Sequence, residues 1–502
     1  MTIDLSFCLP GAIRIDTHIS TVWLAGDHAY KLKKPVKLPF LDFSTRELRR
    51  NFLAEELRLN QRTAPDLYLD LLPVTGSLAA PVLGGLGEPI DWVLRMRRFP
   101  VGALLSERAE RGELHPVQID ALAEHVAAFH RSLPALQPSA APLKGVTAWT
   151  RESLDEIESD PLRPAGLDQQ RVCALRGRLL ALLDTQAGWR EQRVRDGFLR
   201  EAHGDLHLGN LVLWQGGVVA FDAIEFDPAL RCIDLMNDLA FAFMDLLARG
   251  RPELAWRLVN AYVERTGDFD GLTGLRAFAA YRALVRAKIA LLSGQPQDGL
   301  RYWTLAESLA AVPPLPRLLL VMGLSGSGKT TLAGLAAERI GAIRVRSDVE
   351  RKRLHGLEAT ERPAPGLDLY GAEATRRTYA RLGGLAERLL AAGYSVVVDA
   401  ALLHQAERAA LRDLAWRRQV PFLLLECVAD PGLMAQRLQA RSTAGSDASD
   451  AGVAVMQRQR EFAEAVPIAW ASAHCVIRNE AGLDELRAAL DAALAGWEPG
   501  RS

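Results

Sequence analysis

No two of the five cysteines in this 502-residue sequence form a C-x-x-C pair; Cys8, Cys173, Cys232, Cys427 and Cys475 are scattered along the chain. That spacing offers neither a zinc site nor a disulfide framework, and it suits a chain kept reduced. Charge of one sign is missing as well: 60 Lys and Arg against 61 Asp and Glu leave a formal net charge of −1. Such a balance carries no electrostatic footprint for nonspecific binding to nucleic acid or membranes. No stretch reaches the roughly 18 apolar residues that a membrane span requires. The opening MTIDLSFCLPGAIRID lacks the basic flank and apolar centre of a secretory signal. A cytoplasmic protein is expected. What is present is an ordinary composition, 49% hydrophobic and 24% charged, in a length that accommodates roughly two to four domains.

The stretch HGDLHLGN at 203–210 concentrates polar residues between apolar runs. It is followed by LVLW (211–214), a Gln215-Gly216-Gly217 turn signal and VVAF (218–221), which predict a hairpin ending at Asp222. The hairpin folds Asp222 back beside Asn210, so that an amide oxygen and a carboxylate can share one metal ion. Taken singly, these positions also suit a polar turn with His203 packed as a core histidine. As a set they resemble the protein-kinase segment H-R-D-L-x-x-x-N with its second acid beyond the next hairpin. Gly204 stands where kinases carry Arg, and HGDLHxxN resembles the aminoglycoside and choline phosphotransferases. The resemblance implies Asp205 as the catalytic residue that orients or deprotonates an acceptor hydroxyl, with Asn210 and Asp222 on Mg2+. Asp227-Pro228 and Asp238-Leu239-Ala240 continue that pattern, and Asp238, at a helix start, suits a tether for backbone N–H groups. Asp222 is followed by Ala223-Ile224 and not Phe-Gly, so the kinase switch built on that Phe is not expected. Glu225 is an extra acid nearby, suited equally to metal ligation or to substrate hydroxyls.

Upstream, ISTVWLAG and AYKLKK predict paired strands, with Lys31 and Lys33 on one face by alternation. The kinase resemblance implies that one of them, Lys33 or else Lys31, grips the nucleotide phosphates. A KLKK run on an edge strand equally suits solvated charge. A helix from Thr45 to Arg62, capped by Ser44 or Thr45, supplies the expected glutamate partner, Glu55. WVLRMRRF (92–99) is the expected strand into the hinge between lobes. The apolar residues Ile119, Leu122, Val126 and Phe129 recur at helical spacing, which makes His125 and His130 structural.

AAVPPLPR (310–317) ends the helical region, and LLLVMGLSGSGKTTLA then reads as strand, G-x-x-x-x-G-K-T and helix, the full context of a P-loop. Gly323, Leu324, Ser325, Gly326, Ser327, Gly328, Lys329, Thr330 and Thr331 are the expected ATP cradle, with Lys329 on the phosphates and Thr330 on Mg2+. AIRVRS, SVVVDA, FLLLECV and HCVIRN, with helical stretches between, predict a parallel sheet covered on both faces. Asp348 and Asp399 fall at strand ends, where functional side chains gather. Asp399 reads as a magnesium-fixing acid and Asp348 as a general base, although buried strand-end caps have the same pattern. Arg437 and Arg441, four apart on a helix, precede the small, polar stretch STAGSDASDAG. Together these resemble P-loop kinases of the gluconate kinase, chloramphenicol phosphotransferase and zeta-toxin type, which implies a lid whose arginines neutralise the transferring phosphoryl group.

The expected architecture is an α+β protein-kinase-like two-lobe domain (1–312) followed by an α/β P-loop NTPase domain (313–502), similar to bacterial fusions of an aminoglycoside phosphotransferase-like and an ATP-binding half. A single cut near Leu315 should separate them. The expected chemistry is transfer of the ATP γ-phosphoryl group to hydroxyls of small molecules at two sites, with no membrane or nucleic-acid partner. Alternatives are a regulatory or substrate-presenting role for one half, or a nucleic-acid end kinase in the second.

Overall fold

The computed structural model describes the chain outside residues 1–2, 39–40, 141–144, 160–163, 165, 365, 445–447, 450 and 498–502. Packing divides it into two units, Met1–Arg251 with Gly274–Ala311, and Pro252–Thr273 with Val312–Ser502. The second boundary falls in the proline cluster. The first corrects the expected single cut, because residues 252–273 pack with the second unit.

In the first unit a six-stranded antiparallel sheet has the order Ile13–Asp16, Ser20–Ala25, His28–Lys33, Asp91–Arg97, Tyr68–Gly76 and Pro81–Leu83. The helix Arg46–Asn60 packs on this sheet, with Thr45 as N-cap: its hydroxyl accepts a hydrogen bond from Leu48 N at 3.2 Å. Its buried residues are Arg49, Leu53, Glu56, Leu59 and Asn60, the i, i+4, i+7 stripe of one helical face. Leu53 packs with Leu67, Tyr68 and Leu94, while Arg49 is pinned to Asp91 at 2.7 Å.

The expected hairpin forms from Leu211–Trp214 and Gly217–Ala220, paired Leu211 to Ala220 and Trp214 to Gly217. Gln215 and Gly216 both have positive φ, the requirement of a tight two-residue turn. Beneath the hairpin's start lies Leu235–Ala248, a helix apolar on nearly every side and buried almost throughout.

The second unit holds a five-stranded parallel sheet in the order Ile343–Arg346, Val396–Asp399, Leu318–Met322, Phe422–Val428 and His474–Arg478. Helix Lys329–Ile340 packs against it through Leu332, Ala333, Ala336 and Ala337. The edge strand Ile343–Arg346 is covered by helix Pro252–Thr266. Asn260 of that helix donates to Ala342 O at 2.9 Å and accepts from Arg344 N at 2.6 Å, which satisfies backbone groups that a sheet edge leaves open. Glu264 bridges Arg344 at 2.8 Å and Arg346 at 2.6 Å. These contacts are the physical reason that 252–273 belongs with the P-loop sheet.

Candidate active sites

The 203–210 segment of the first unit is held by two carboxylates of helix Leu235–Ala248. Asp238 accepts from His203 N at 3.1 Å and Gly204 N at 2.9 Å, and its other neighbour is His130 Nε2 at 3.1 Å. Asp245 accepts from Leu208 N at 3.0 Å. Gly204 has φ +85, and a Cβ there would meet Leu230 O at 3.0 Å, so the glycine in the kinase Arg position is a backbone requirement. His203 is fully buried, and burial pushes its pKa down. Its Nδ1 accepts from Asp205 N at 3.3 Å, which leaves Nε2–H to donate to Phe221 O at 3.0 Å. One neutral ring thus ties the loop to the residue before Asp222. His125 is structural in the same way: Nε2 accepts from Ala220 N at 3.3 Å, and burial lowers its pKa to about 4.

Asp205 and Asn210 are joined by an Asn210 Nδ2 bond to Asp205 Oδ2 at 2.8 Å. The amide nitrogen is spent there, which leaves its oxygen as the atom available to a cation. Burial alone would raise the Asp205 carboxyl, but His207, 3.4 Å away, and Arg286 hold it well below the usual carboxylate range. Asp222 sits in left-handed backbone at φ +62, its N–H held by the Tyr68 hydroxyl at 3.1 Å. Next to it, Ala223 N donates to Asn60 Oδ1 at 2.9 Å. Asp205, Asn210 and Asp222 line a cavity of about 1130 Å³ together with Lys31 and residues 96–99 from the end of the expected hinge strand.

The lysine and glutamate expectations require correction. Lys33 is fully buried, its Nζ 2.9 Å from Glu56 and 2.5 Å from Glu225. Lys31 faces the cavity, its Nζ 2.7 Å from both Glu56 and Asp222. Two lysines therefore share one glutamate, and that glutamate is Glu56. Glu55 lies one position round the helix, outside the Leu53–Glu56–Asn60 stripe, and pairs with Arg58 at 2.7 Å and Arg231 at 2.5 Å. Burial opposes charge on Lys31, yet Asp222 and Glu56 outweigh it and hold the ammonium protonated. Glu225, left open by the sequence, is the buried counter-ion of Lys33.

In the second unit residues 323–331 join the central strand to helix Lys329–Ile340. Gly328 has φ +90, and a Cβ there would collide with the Asn479 side chain. The Ser327 carbonyl accepts from Asn479 Nδ2 at 2.8 Å, Cys427 Sγ at 3.2 Å and Arg437 Nη1 at 3.4 Å, while Ser325 N donates to Gln459 at 2.9 Å. Asp399 ends the neighbouring strand, buried, with neither carboxylate oxygen in a hydrogen bond. Arg346 Nε stands 3.5 Å from it. Those orphaned oxygens fit a divalent cation with Thr330. Asp348 is half-buried in the first turn of Ser347–Leu354. The expected arginine pair is divided: Arg437 reaches the P-loop, but Arg441 donates to Ala451 O at 2.7 Å. Positions 445–447 and 450 of the expected lid lie outside the described residues.

Sequence reasoning missed Glu56, Tyr68, Asn60, His207 and Arg286 around the first cavity, and Asn479 and Gln459 around the P-loop. Glu56 and Asn60 share the helical spacing of Leu53, and that spacing was the one readable signal. Among the described residues no group of three or more His, Cys, Asp or Glu forms a metal cluster. None of the described helices is long and apolar enough to cross a membrane.

Residues 36–281 match the model of the phosphotransferase enzyme family, and residues 318–466 match that of an AAA domain. The fold is a kinase-like phosphotransferase domain followed by a P-loop domain with a parallel sheet, both of kinase type and associated with phosphoryl transfer from ATP. The chain belongs to the family represented by uncharacterized proteins of Mycobacterium tuberculosis (strain ATCC 25618 / H37Rv) and Mycobacterium bovis, each 31% identical over 462 residues, covering 89% of this chain and 90% of the relative. A choline/ethanolamine kinase family protein from Mesorhizobium loti is 14% identical, covering 61% of this chain and 90% of its own, with TM-score 0.38. A sugar kinase from Janibacter sp. is 21% identical, covering 36% of this chain and 95% of its own, with TM-score 0.28.

Proposed function

We propose that the chain carries two ATP-dependent phosphotransferase sites, each passing the γ-phosphoryl group to an alcohol of a small molecule in a reducing cytoplasm. The observation that carries the reading is the joining of Asp205 to Asn210 at 2.8 Å in one cavity with Lys31, itself held between Glu56 and Asp222. In this reading Asp205 receives the acceptor's proton and Lys31 positions the phosphates. Lys33 positions Glu56 from behind. In the second site the 323–331 loop cradles phosphate, Lys329 neutralises it, Asp348 meets the acceptor and Arg437 steadies the loop. Magnesium, bound by Asn210 and Asp222 in one site and by Thr330 and Asp399 in the other, would supply Lewis-acid charge on the phosphate oxygens. Phosphoryl transfer asks for positioning and charge neutralisation, which is what these residues offer.

The test is transfer from γ-labelled ATP to pooled hydroxylated metabolites by the full chain, Asp222→Ala and Lys329→Ala. Each variant should abolish one set of labelled products and leave the other. Should Lys329→Ala remove no product of its own but change the rate of the Asp222-dependent set, the second unit is a regulator and the two-site reading fails.

A further inference from the structure

Beyond Asp205 the first cavity is walled by one face of helix Leu272–Leu292, where Arg286, Ile289 and Leu292 recur at intervals of three, followed by Ser293. Charge on the cavity wall is unevenly committed. Among the described residues four carboxylates reach it, and each already has a partner. Glu107 lies 4.0 Å from Arg111, Asp205 accepts from Asn210, Asp222 is held by Lys31 and Glu225 by Lys33. Apart from Glu107, partly exposed and at the limit of ion-pair distance from Arg111, the acids of the wall are engaged by the protein's own groups. Arg286 differs. Its guanidinium stands over the Tyr302 ring at 5.6 Å, and its buried Nε has no hydrogen-bond partner. A guanidinium on a cavity wall, with its field shared between Asp205 and the open space, offers a carboxylate or phosphate a planar, charged donor. Ile289 and Leu292, 42% and 64% exposed, give the same wall an apolar shelf beside the charge.

We propose that the acceptor at this site is a hydroxylated organic anion, its carboxylate or phosphate on Arg286 and its hydroxyl at Asp205. The inference deepens the phosphotransfer reading and rests on it. In the step, the acceptor oxygen forms a bond to the γ-phosphorus as the bond to the β,γ-bridging oxygen breaks. The hydroxyl proton passes to the Asp205 carboxylate and on to solvent, and ADP leaves. Arg286 takes no part in bond making; it sets which alcohols arrive.

Four defined pools, offered separately to the full chain with γ-labelled Mg-ATP, test the idea: sugar acids and hydroxy acids, sugar phosphates, neutral sugars and polyols, and amino sugars with aminoglycosides. Transfer at this site is the part lost in Asp222→Asn. Label is expected in the first or second pool, and which of the two identifies the anion. Asp222-dependent label confined to the neutral or amino pools overturns the inference and leaves phosphotransfer standing. No such label in any pool, while Mg-ATP still raises the melting midpoint, counts against phosphotransfer itself. For the acceptor found, Arg286→Gln should raise KM at least tenfold with kcat within about threefold, and Arg286→Lys, which keeps the charge, should recover part of the loss. A fall in kcat at unchanged KM would place Arg286 on the transferring phosphoryl group and overturn its role on the acceptor.

Discussion

Lys31 and Lys33 are two residues apart, point the same way and share Glu56, yet their surroundings assign them opposite work. Lys33 has its charge enclosed between Glu56 and Glu225; Lys31 reaches the cavity and Asp222. Removing one member of a buried ion cluster leaves its partners uncompensated, at a cost of roughly 3–5 kcal/mol. Lys33→Met should therefore lower the melting midpoint of the first unit sharply. Lys31→Met, which leaves Glu56 paired with Lys33 and Asp222 open to the cavity, should lower the melt less and reduce phosphoryl transfer about a hundredfold, as loss of a phosphate-directed charge does. Calorimetric melts beside transfer assays decide the matter, and equal destabilisation by both changes would refute the division. Alternation along the strand put both lysines on one face but not at equal depth, because depth depends on Glu225, 192 residues away. Glu55 was mistaken for Glu56 for a more local reason. The stripe Arg49–Leu53–Glu56–Asn60 holds three polar residues to one apolar, so the helix alone does not mark it as the buried face until the lysines are known to meet Glu56.

At the scale of elements, the segment from His203 to Asp222 was legible because its constraints are local. A turn with two positive-φ residues, four ladder pairs and a short 3-10 turn bring Asn210 near Asp222 without help from distant sequence. The Pro252–Thr266 helix was not legible as part of the P-loop unit. Its apolar face is ordinary, and Asn260 and Glu264 gain meaning only against a strand more than eighty residues later. Burial would raise the Glu264 carboxyl, but Arg346 and Arg344 outweigh it and hold it at about 2. With the folded value below the ordinary one near 4.3, this group stabilises the unit at pH above that ordinary value. The contribution, on the order of 3 kcal/mol, is lost as pH falls through about 2. Glu264→Gln should accordingly lower the midpoint by roughly 5–10 °C at pH 7 and flatten its acid dependence between about pH 4.3 and 2. It should also weaken Mg-ATP binding, since Arg346, released from Glu264, is 3.5 Å from Asp399 and can close on it. Unchanged melts at pH 7 would show that the helix is held by its apolar face alone.

For the molecule as a whole, the excursion of residues 252–273 into the second unit decides how the chain can be divided. A fragment beginning near Leu315 keeps the entire P-loop but loses the cover of its edge strand, leaving Arg344 and Arg346 without Glu264. It should be poorly soluble and gain little from Mg-ATP. Joining 252–273 to residue 315 through a flexible linker should restore a cooperative melt whose midpoint rises with Mg-ATP. A bare 315–502 fragment that melts as sharply as the linked one would make the helix dispensable. The same excursion sets an order of events during synthesis. Asn260 is made 84 residues before Arg344, the strand residue whose N–H it receives. At about 5–20 residues per second that is a wait of about 4–17 s. Throughout it, Asn260 and Glu264 have no strand to meet, and Leu254, Leu258, Val259 and Val263, buried in the finished protein, sit on a helix whose partner strand does not yet exist. Nascent chains stalled between residues 273 and 340 should be the species that chaperones hold, and slowing translation there lengthens the interval in which this protein is most open to aggregation.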